Sequence, residues 1–242
     1  MKSSSQRVLL GCLVLGLGCS ASRPPPGVVQ PAPGERLETI PGPLPGHGPY
    51  ASYSDALMAA CPLILKQPQA TAGRPSDQEF PLRWRLSKEY CAWIYYTPDQ
   101  QFELSMLATS AVQDDSRKRS CALPPVVKDS RHPPESLGYV FILHNHPFEN
   151  ELSDFDIRFA VAMADVHGLT VNTRMGAVPL SIIAFFSTGH DATQPTCDGF
   201  FQYVPSTGQI IRWVPRDKGR WKSQQIATLR WLDDTNYRIQ RQ

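Results

Sequence analysis

The segment His144-Asn145-His146-Pro147, followed by Ser153-x-x-Asp156, carries the residue types that bind divalent cations. In extended backbone, residues i and i+2 point to the same side, so both imidazoles can reach one point. Two imidazoles and one carboxylate suit a divalent metal, Zn²⁺ first among them, and leave a fourth coordination position open for water. The spacing therefore predicts a catalytic metal site made of His144, His146 and Asp156.

A strand and a helix must position these three side chains. Residues 137–143 (LGYVFIL) are continuously apolar, which predicts a central strand buried on both faces, and the His pair leaves its end. Ser153 is a good helix N-cap, so Asp156 falls at position N3 of a helix over residues 153–167 that Gly168 stops. A carboxylate is stabilised in this first turn, from where it can turn back toward the imidazoles. The residues predicted on the apolar side of the helix are Phe155, Phe159, Ala162, Met163 and Val166.

Catalysis at such a site also needs a base. Glu89 opens the aromatic run of residues 89–96 (EYCAWIYY). If that run is a strand beside the His strand, Glu89 can take a proton from water and pass it to a leaving group. Glu79 and Glu103 compete for this role, and the hydroxyl of Ser153 could polarise a substrate carbonyl. The plainer interpretation makes Glu89 a surface residue, Asp156 a helix-capping acid and the histidines solvated.

The rest of the pattern predicts an α+β fold with one mixed β-sheet and flanking helices, because strands outnumber helices and the helices follow different strands. Helical spacing marks residues 53–65, and a terminal amphipathic helix is expected over residues 223–240. Strands are expected at residues 89–96, 101–109, 137–143, 179–187, 199–204 and 209–214. A charged loop is expected over residues 114–120.

The first 19 residues have the pattern of an export signal. Lys2 and Arg7 form a basic start, and an apolar stretch of 11 residues, too short to span a bilayer, ends at Gly18-Cys19. A small residue directly before a cysteine resembles a bacterial lipobox, which implies that Cys19 is lipidated and becomes the mature N-terminus. The alternative is an ordinary secretory signal with an incidental cysteine.

The next segment, residues 20–50, contains nine prolines and five glycines, a composition that predicts an extended spacer burying no apolar surface. We therefore expect a signal peptide over residues 1–19, a Pro/Gly-rich tether over residues 20–50 and a folded domain over residues 51–242. The expected location is the cell envelope of a bacterium, with the lipid anchor in the outer membrane.

Four further cysteines lie beyond the leader. In an exported chain an even number of cysteines predicts disulfides, here two. Three pairings are possible and the sequence does not choose among them, while unpaired buried thiols are the alternative. The four are Cys61, Cys91, Cys121 and Cys197.

The charge balance argues against a polyanionic partner. The 242 residues carry 24 basic and 22 acidic side chains, and loss of the leader with Lys2 and Arg7 leaves 22 of each. A neutral chain has no electrostatic footprint for nucleic acid, so we expect no nucleic-acid partner. With 41% hydrophobic residues, the chain is long and apolar enough to form a core.

The order Glu89, then His144-x-His146-Pro147, then Ser153-x-x-Asp156 resembles the JAMM (JAB/MPN) metalloprotease motif. The resemblance covers about half to two thirds of the mature chain. Residues 89–95 and the hairpin over residues 200–213 also resemble the JAB-like domains of bacterial polymorphic toxins. The family resemblance implies a mixed sheet with helices against it and zinc-dependent hydrolysis of amide or isopeptide bonds in a polypeptide, whose identity the sequence does not reveal.

The resemblance maps five residues onto this chain: the zinc ligands His144, His146 and Asp156, the acid/base Glu89 and the carbonyl-side Ser153. The chain departs from the family pattern in two places. Six residues separate His146 from Ser153 where seven are usual, and the middle residue of the His motif is Asn145, as in the RadC-like branch. The shorter loop also fits a second hypothesis, a non-catalytic binding or toxin module of the same fold. A third is a structural envelope lipoprotein with no pocket at the His pair.

Overall fold

The computed structural model describes residues 24–32, 34–110, 121, 123–216 and 220–242, and the statements below concern these residues. The helices are α1 (Tyr53–Leu65), α2 (Phe80–Leu86) and α3 (Asp154–His167). The strands are β1 (Val28–Val29), β2 (Thr39–Gly42), β3 (Tyr90–Tyr96), β4 (Phe102–Leu104), β5 (Leu107–Thr109), β6 (Val126–Asp129), β7 (Gly138–Asn145), β8 (Thr170–Thr173), β9 (Gly176–Pro179), β10 (Ser181–Phe186), β11 (Gly199–Val204), β12 (Gln209–Arg216), β13 (Arg220–Trp231) and β14 (Tyr237–Arg241).

A mixed ten-stranded sheet organises the chain, so the predicted α+β fold is confirmed. Its order is β1-β5-β3-β7-β10-β11-β12-β13-β14, with β4 also paired to β3, while β2-β6 and β8-β9 form two small sheets. The central strand β7 runs antiparallel to β3 and parallel to β10. Strand β7 is buried on both faces, because its side chains join apolar clusters on the two sides of the sheet, as its continuous apolar run predicts.

Helices α1 and α3 cover opposite faces of this sheet. Side chains alternate along β3, so that Ala92 and Ile94 join the core under α1 while Trp93 and Tyr95 join the core under α3. Trp93 lies edge-on to Tyr139 of β7, with ring centres 5.0 Å apart. The sheet therefore has an α1 face and an α3 face, each with its own apolar cluster.

The expected helix over residues 223–240 is wrong, because this part of the chain forms β13 and β14. Strand β13 pairs with β12 from Arg220 to Thr228, and β14 folds back on β13. Ala227, Leu229 and Trp231 follow a period of two and join the core of the α3 face. Trp221 and Ile226 suggested a helix, but this segment forms a strand because it can pair with the edge of β12 that β11 leaves open.

Residues 24–50 also depart from expectation, because they pack on the sheet. Strand β1 pairs in parallel with β5, and β2 pairs in parallel with β6. Ile40 is fully buried, and Val28 and Leu44 are each 6% exposed. The prediction that this segment buries no apolar surface is therefore wrong for its described residues, and the folded unit begins before residue 51.

Two disulfides are present, as expected, and the structure settles their pairing. Cys61 of α1 is joined to Cys197, which lies just before β11. Cys91 of β3 is joined to Cys121. The signal segment with Cys19 and the charged loop of residues 114–120 lie outside the described residues. None of the described helices is long and apolar enough to cross a membrane.

Candidate metal centre

The end of β7 presents His144 and His146 on the α3 face. His144 lies between Cys91 of β3 and Ala184 of β10, and the backbone N–H of His146 donates to the carbonyl of Phe185 at 2.8 Å. This pairing keeps the backbone extended through both histidines, so their side chains point the same way. Each is only 3% exposed.

Asp156 reaches the same place from the first turn of α3. Ser153 is the N-cap, and its hydroxyl accepts a hydrogen bond from the backbone N–H of Asp156 at 3.2 Å. In return, Oδ2 of Asp156 accepts from the backbone N–H and from the hydroxyl of Ser153, each at 2.7 Å. This capping box fixes the carboxylate at position N3, as predicted, and turns it toward the histidines.

The three side chains converge at distances that suit a shared cation. Nε2 of His144 lies 3.4 Å from Oδ1 of Asp156, and Nε2 of His146 lies 3.4 Å from Oδ2. All three ligand atoms lie within 4.8 Å of one another. In a tetrahedral zinc site with bonds of about 2.0–2.2 Å, neighbouring ligand atoms are about 3.4 Å apart. The group could therefore hold a metal ion.

A buried atom without a hydrogen bond supports this fit. Nε2 of His144 is fully enclosed and makes no hydrogen bond within the described part of the chain. Leaving a buried polar atom unsatisfied costs about 1–3 kcal/mol, and a metal ion would give that nitrogen a partner. Nδ1 of His146 lies 2.8 Å from the carbonyl of Asn150, to which it can donate, and this leaves Nε2 facing Asp156.

The electrostatics favour the protonation state that a metal ligand needs at two of the three residues, His144 and Asp156. Burial lowers the pKa of His144 to about 4, so this imidazole is neutral at pH 7. Burial works against the charged form of Asp156 as well, but the two histidines and Ser153 outweigh it and hold the pKa of Asp156 below its usual range. Burial alone would lower the pKa of His146, but the hydrogen bond and charge of Asp156, with a contribution from the charge of Glu89, raise it. Without a metal this imidazole therefore favours its protonated form, and a cation would have to displace that proton.

Glu89 lies at the edge of this group. Continuing the β3–β7 register beyond the Cys91–His144 pair places Glu89 opposite His146, and directly opposed residues share a face of the sheet. Glu89 is 9% exposed, and its charge acts on His146. The competing residues are elsewhere: Glu79 is exposed and pairs with Arg83, and Glu103 pairs with Arg131 at the far end of β3.

Sequence reasoning missed the contribution of the loop between β7 and α3. The carbonyl of Asn150 orients His146, and Phe148 lies edge-on to Phe80 and Trp84 of α2, with ring centres 5.3 Å apart in both cases. A loop carbonyl has no signature in the sequence. The histidine itself supplied the only available signal, since ligating imidazoles usually donate their second N–H to a carbonyl or a carboxylate.

The geometry defines a buried two-histidine, one-carboxylate centre at the junction of a strand and a helix, able to hold a metal ion. No protein-family model matches the chain, and neither a curated protein nor a solved structure matches it.

Proposed function

We propose that the protein is a zinc-dependent hydrolase of amide or isopeptide bonds, related to the JAMM (JAB/MPN) class. The observation that carries the proposal is the meeting of His144, His146 and Asp156 at the spacing of a tetrahedral site. Two nitrogen ligands and one oxygen ligand suit zinc, and three protein ligands are typical of catalytic rather than structural zinc sites. When bound, the cation supplies Lewis acidity and makes a water molecule acidic near neutral pH.

The chain supplies a base and a hydrogen-bond donor around this centre. Glu89, on the same face as His146, accepts the proton of the attacking water and returns it to the departing amine. The hydroxyl of Ser153 donates to Asp156 in the structure and would have to turn away from that carboxylate to donate to a substrate carbonyl. The order of the residues along the chain and the placement of the Glu strand beside the His strand support the JAMM assignment.

The setting of the enzyme is part of the same proposal. A lipid on Cys19 anchors the protein to the envelope of a bacterium, at the outer membrane, where it acts on a polypeptide and not on nucleic acid. The two disulfides support this placement, because disulfides persist in oxidising compartments outside the cytoplasm.

Zinc content tests the metal centre directly. Full-length protein should contain about one zinc per chain by elemental mass spectrometry, and His146→Ala and Asp156→Ala should contain almost none. His190→Ala serves as the matched control, since His190 is exposed and lies outside the centre. Full zinc content in either ligand variant contradicts the proposed centre.

A second candidate is a non-catalytic binding module that uses the metal only for stability. The low exposure of the centre favours it, since His144 and His146 are each 3% exposed and Asp156 is 8% exposed. Incubation of the zinc protein with a peptide library, followed by mass spectrometry of new N-termini, separates the two. A hydrolase cleaves the library, and Glu89→Gln retains zinc but loses cleavage. Absence of cleavage by the zinc-loaded wild type supports the binding module.

A further inference from the structure

Asn145, the residue between the two histidines, has a buried side chain with three backbone partners. It points to the α1 face, opposite the imidazoles, and is fully enclosed. Its Oδ1 accepts from the backbone N–H of Tyr90 at 2.7 Å, and its Nδ2 donates to the carbonyls of Ala70 and Lys88 at 2.6 and 3.0 Å. Both N–H groups and the oxygen of the side-chain amide therefore have a hydrogen-bond partner.

Two of these partners flank Glu89 in the sequence. The backbone pairing of β3 with β7 begins only at Cys91 and His144. Beyond it, the backbone N–H of Tyr90 donates to the side-chain oxygen of Asn145 instead of to a backbone carbonyl of β7. Because the same amide holds the carbonyl of Lys88 and the N–H of Tyr90, it fixes the backbone on both sides of Glu89. Glu89 is thereby tied to the strand that carries the imidazoles.

We infer that Asn145 is the positioning residue for Glu89: it sets the distance between the Glu89 carboxylate and the centre formed by His144, His146 and Asp156. This inference rests on the proposed function for the role of Glu89. The hydrogen bonds themselves do not depend on a metal. A displacement of about 1 Å in a reacting group can reduce a rate by about a hundredfold, so a clamp of this kind matters more to chemistry than to folding.

Substitutions at Asn145 and a nearby control test the inference in metal-free protein. Asn145→Asp keeps the volume and the acceptor for Tyr90 but sets an oxygen against the carbonyls of Ala70 and Lys88, and Asn145→Ala removes all three bonds. Tyr90→Phe is the matched control, because it removes one neighbouring, partly buried hydrogen bond, from the Tyr90 hydroxyl to the carbonyl of Pro68. Crystal structures should show Glu89 displaced from His146 by on the order of 1 Å in the Asn145 variants and unmoved in the control.

Cobalt loading of the same full-length variants adds a readout that a purely structural role does not move. Asn145→Asp should still bind about one Co²⁺ per chain. The pH at which its visible spectrum changes should shift in the same direction as in Glu89→Gln, and the double variant should shift no further than Glu89→Gln alone. Additive shifts would overturn the inference, because they show that Asn145 does not act through Glu89.

The two arms separate the possible failures. A wild-type protein that takes up no Co²⁺ contradicts the proposed function, and the crystal structures alone then decide the role of Asn145. Glu89 in the same place in wild type and in both Asn145 variants overturns the inference, whatever the metal content. Should Asn145→Ala fail to fold, Asn145→Asp carries the comparison by itself.

Discussion

Two clusters on this protein bury a carboxylate, and they differ in how completely their polar atoms are satisfied. Near β6, Oδ1 of Asp129 accepts from the backbone N–H and Nε of Arg131, and Oδ2 accepts from Nη2 of Arg131 and from the hydroxyl of Tyr95. Glu103 completes this group with a 2.9 Å ion pair to Arg131. At the candidate metal centre, by contrast, Nε2 of His144 makes no hydrogen bond among the described residues.

This difference separates a structural cluster from a site that could still accept a ligand. A buried ionised group is tolerated when surrounding donors and charges satisfy it, as they do around Asp129. The histidine centre gathers a carboxylate and two imidazoles, yet in the described part of the chain Nε2 of His144 has no hydrogen bond and only the Asp156 carboxylate 3.4 Å away. A bound cation would remove the free-energy cost of leaving that buried nitrogen unsatisfied.

Removal of Asp129 should have the largest effect on folding. Asp129→Ala leaves the hydroxyl of Tyr95 and the guanidinium of Arg131 without their main acceptor, and we expect a loss of about 3 kcal/mol in the free energy of unfolding. This is the low end for a broken buried pair, because the Arg131 side chain is 42% exposed. Urea denaturation measures the loss. Asp165→Ala, at an exposed position of α3, should change stability by less than about 0.5 kcal/mol, and an equal loss in both variants contradicts the prediction.

Zinc should stabilise the protein through the histidine centre alone. At a free zinc concentration of a hundred times the dissociation constant, binding to the native state adds about 2.7 kcal/mol to the free energy of unfolding. Thermal unfolding with zinc and with a chelator should therefore differ for wild type and for Asp129→Asn, but not for Asp156→Ala. A zinc-dependent shift that survives in Asp156→Ala would show that the metal binds elsewhere.

The sequence predicted the local elements that form the candidate centre. A continuous apolar run predicted the central strand β7, the i, i+2 spacing predicted imidazoles on one side, and the Ser153-x-x-Asp156 pattern predicted the cap of α3. Each depends on residues close together in the chain, where backbone geometry fixes the outcome. The capping box and the ligand role proved compatible, since one carboxylate oxygen bonds Ser153 while both lie near the imidazoles.

Long-range pairing was not readable in the same way. Strand β1 pairs with β5, and β14 pairs with β13. Neither β1 nor β14 has a sequence pattern strong enough to predict a strand by itself. The apolar side of α3 was also misjudged, since Phe155 and Val166 are 56% and 62% exposed. Because Asp156 points inward to the histidines, the buried side of the helix is rotated. It consists of Asp156, Ile157, Ala160, Met163 and Ala164.

Acid should erase much of the contribution of Asp129. Burial alone would raise the pKa of Asp129, but Arg131 and the Tyr95 hydroxyl together lower it to about 2, against about 3.9 for an unfolded aspartate. The contribution is thus fully present above about pH 4 and is lost as the pH falls through about 2.

A comparison of wild type with Asp129→Asn isolates this carboxylate from its neighbour. Burial raises the pKa of Glu103, so Glu103 acts in the opposite sense, but it is present in both proteins. The difference in unfolding free energy between the two should shrink by at most about 2 kcal/mol on acidification from about pH 5 to about pH 2. A difference that stays constant over this range would mean that Asp129 has no depressed pKa.

The smallest effect on folding is expected for Asp156→Asn in the presence of a chelator. The asparagine oxygen can still accept from the backbone N–H and hydroxyl of Ser153, so the capping box survives. The attraction between the carboxylate and His146 is lost, so the cost should be measurable but smaller than that of Asp129→Asn, which also leaves Arg131 without its main acceptor. The same change removes the charge of the proposed metal ligand and should abolish the zinc-dependent stabilisation. Urea denaturation of Asp156→Asn beside Asp129→Asn measures the contrast. A cost for Asp156→Asn as large as that for Asp129→Asn would show that Asp156 has a structural role like that of Asp129. The case for a metal at this site would then depend on the two histidines alone.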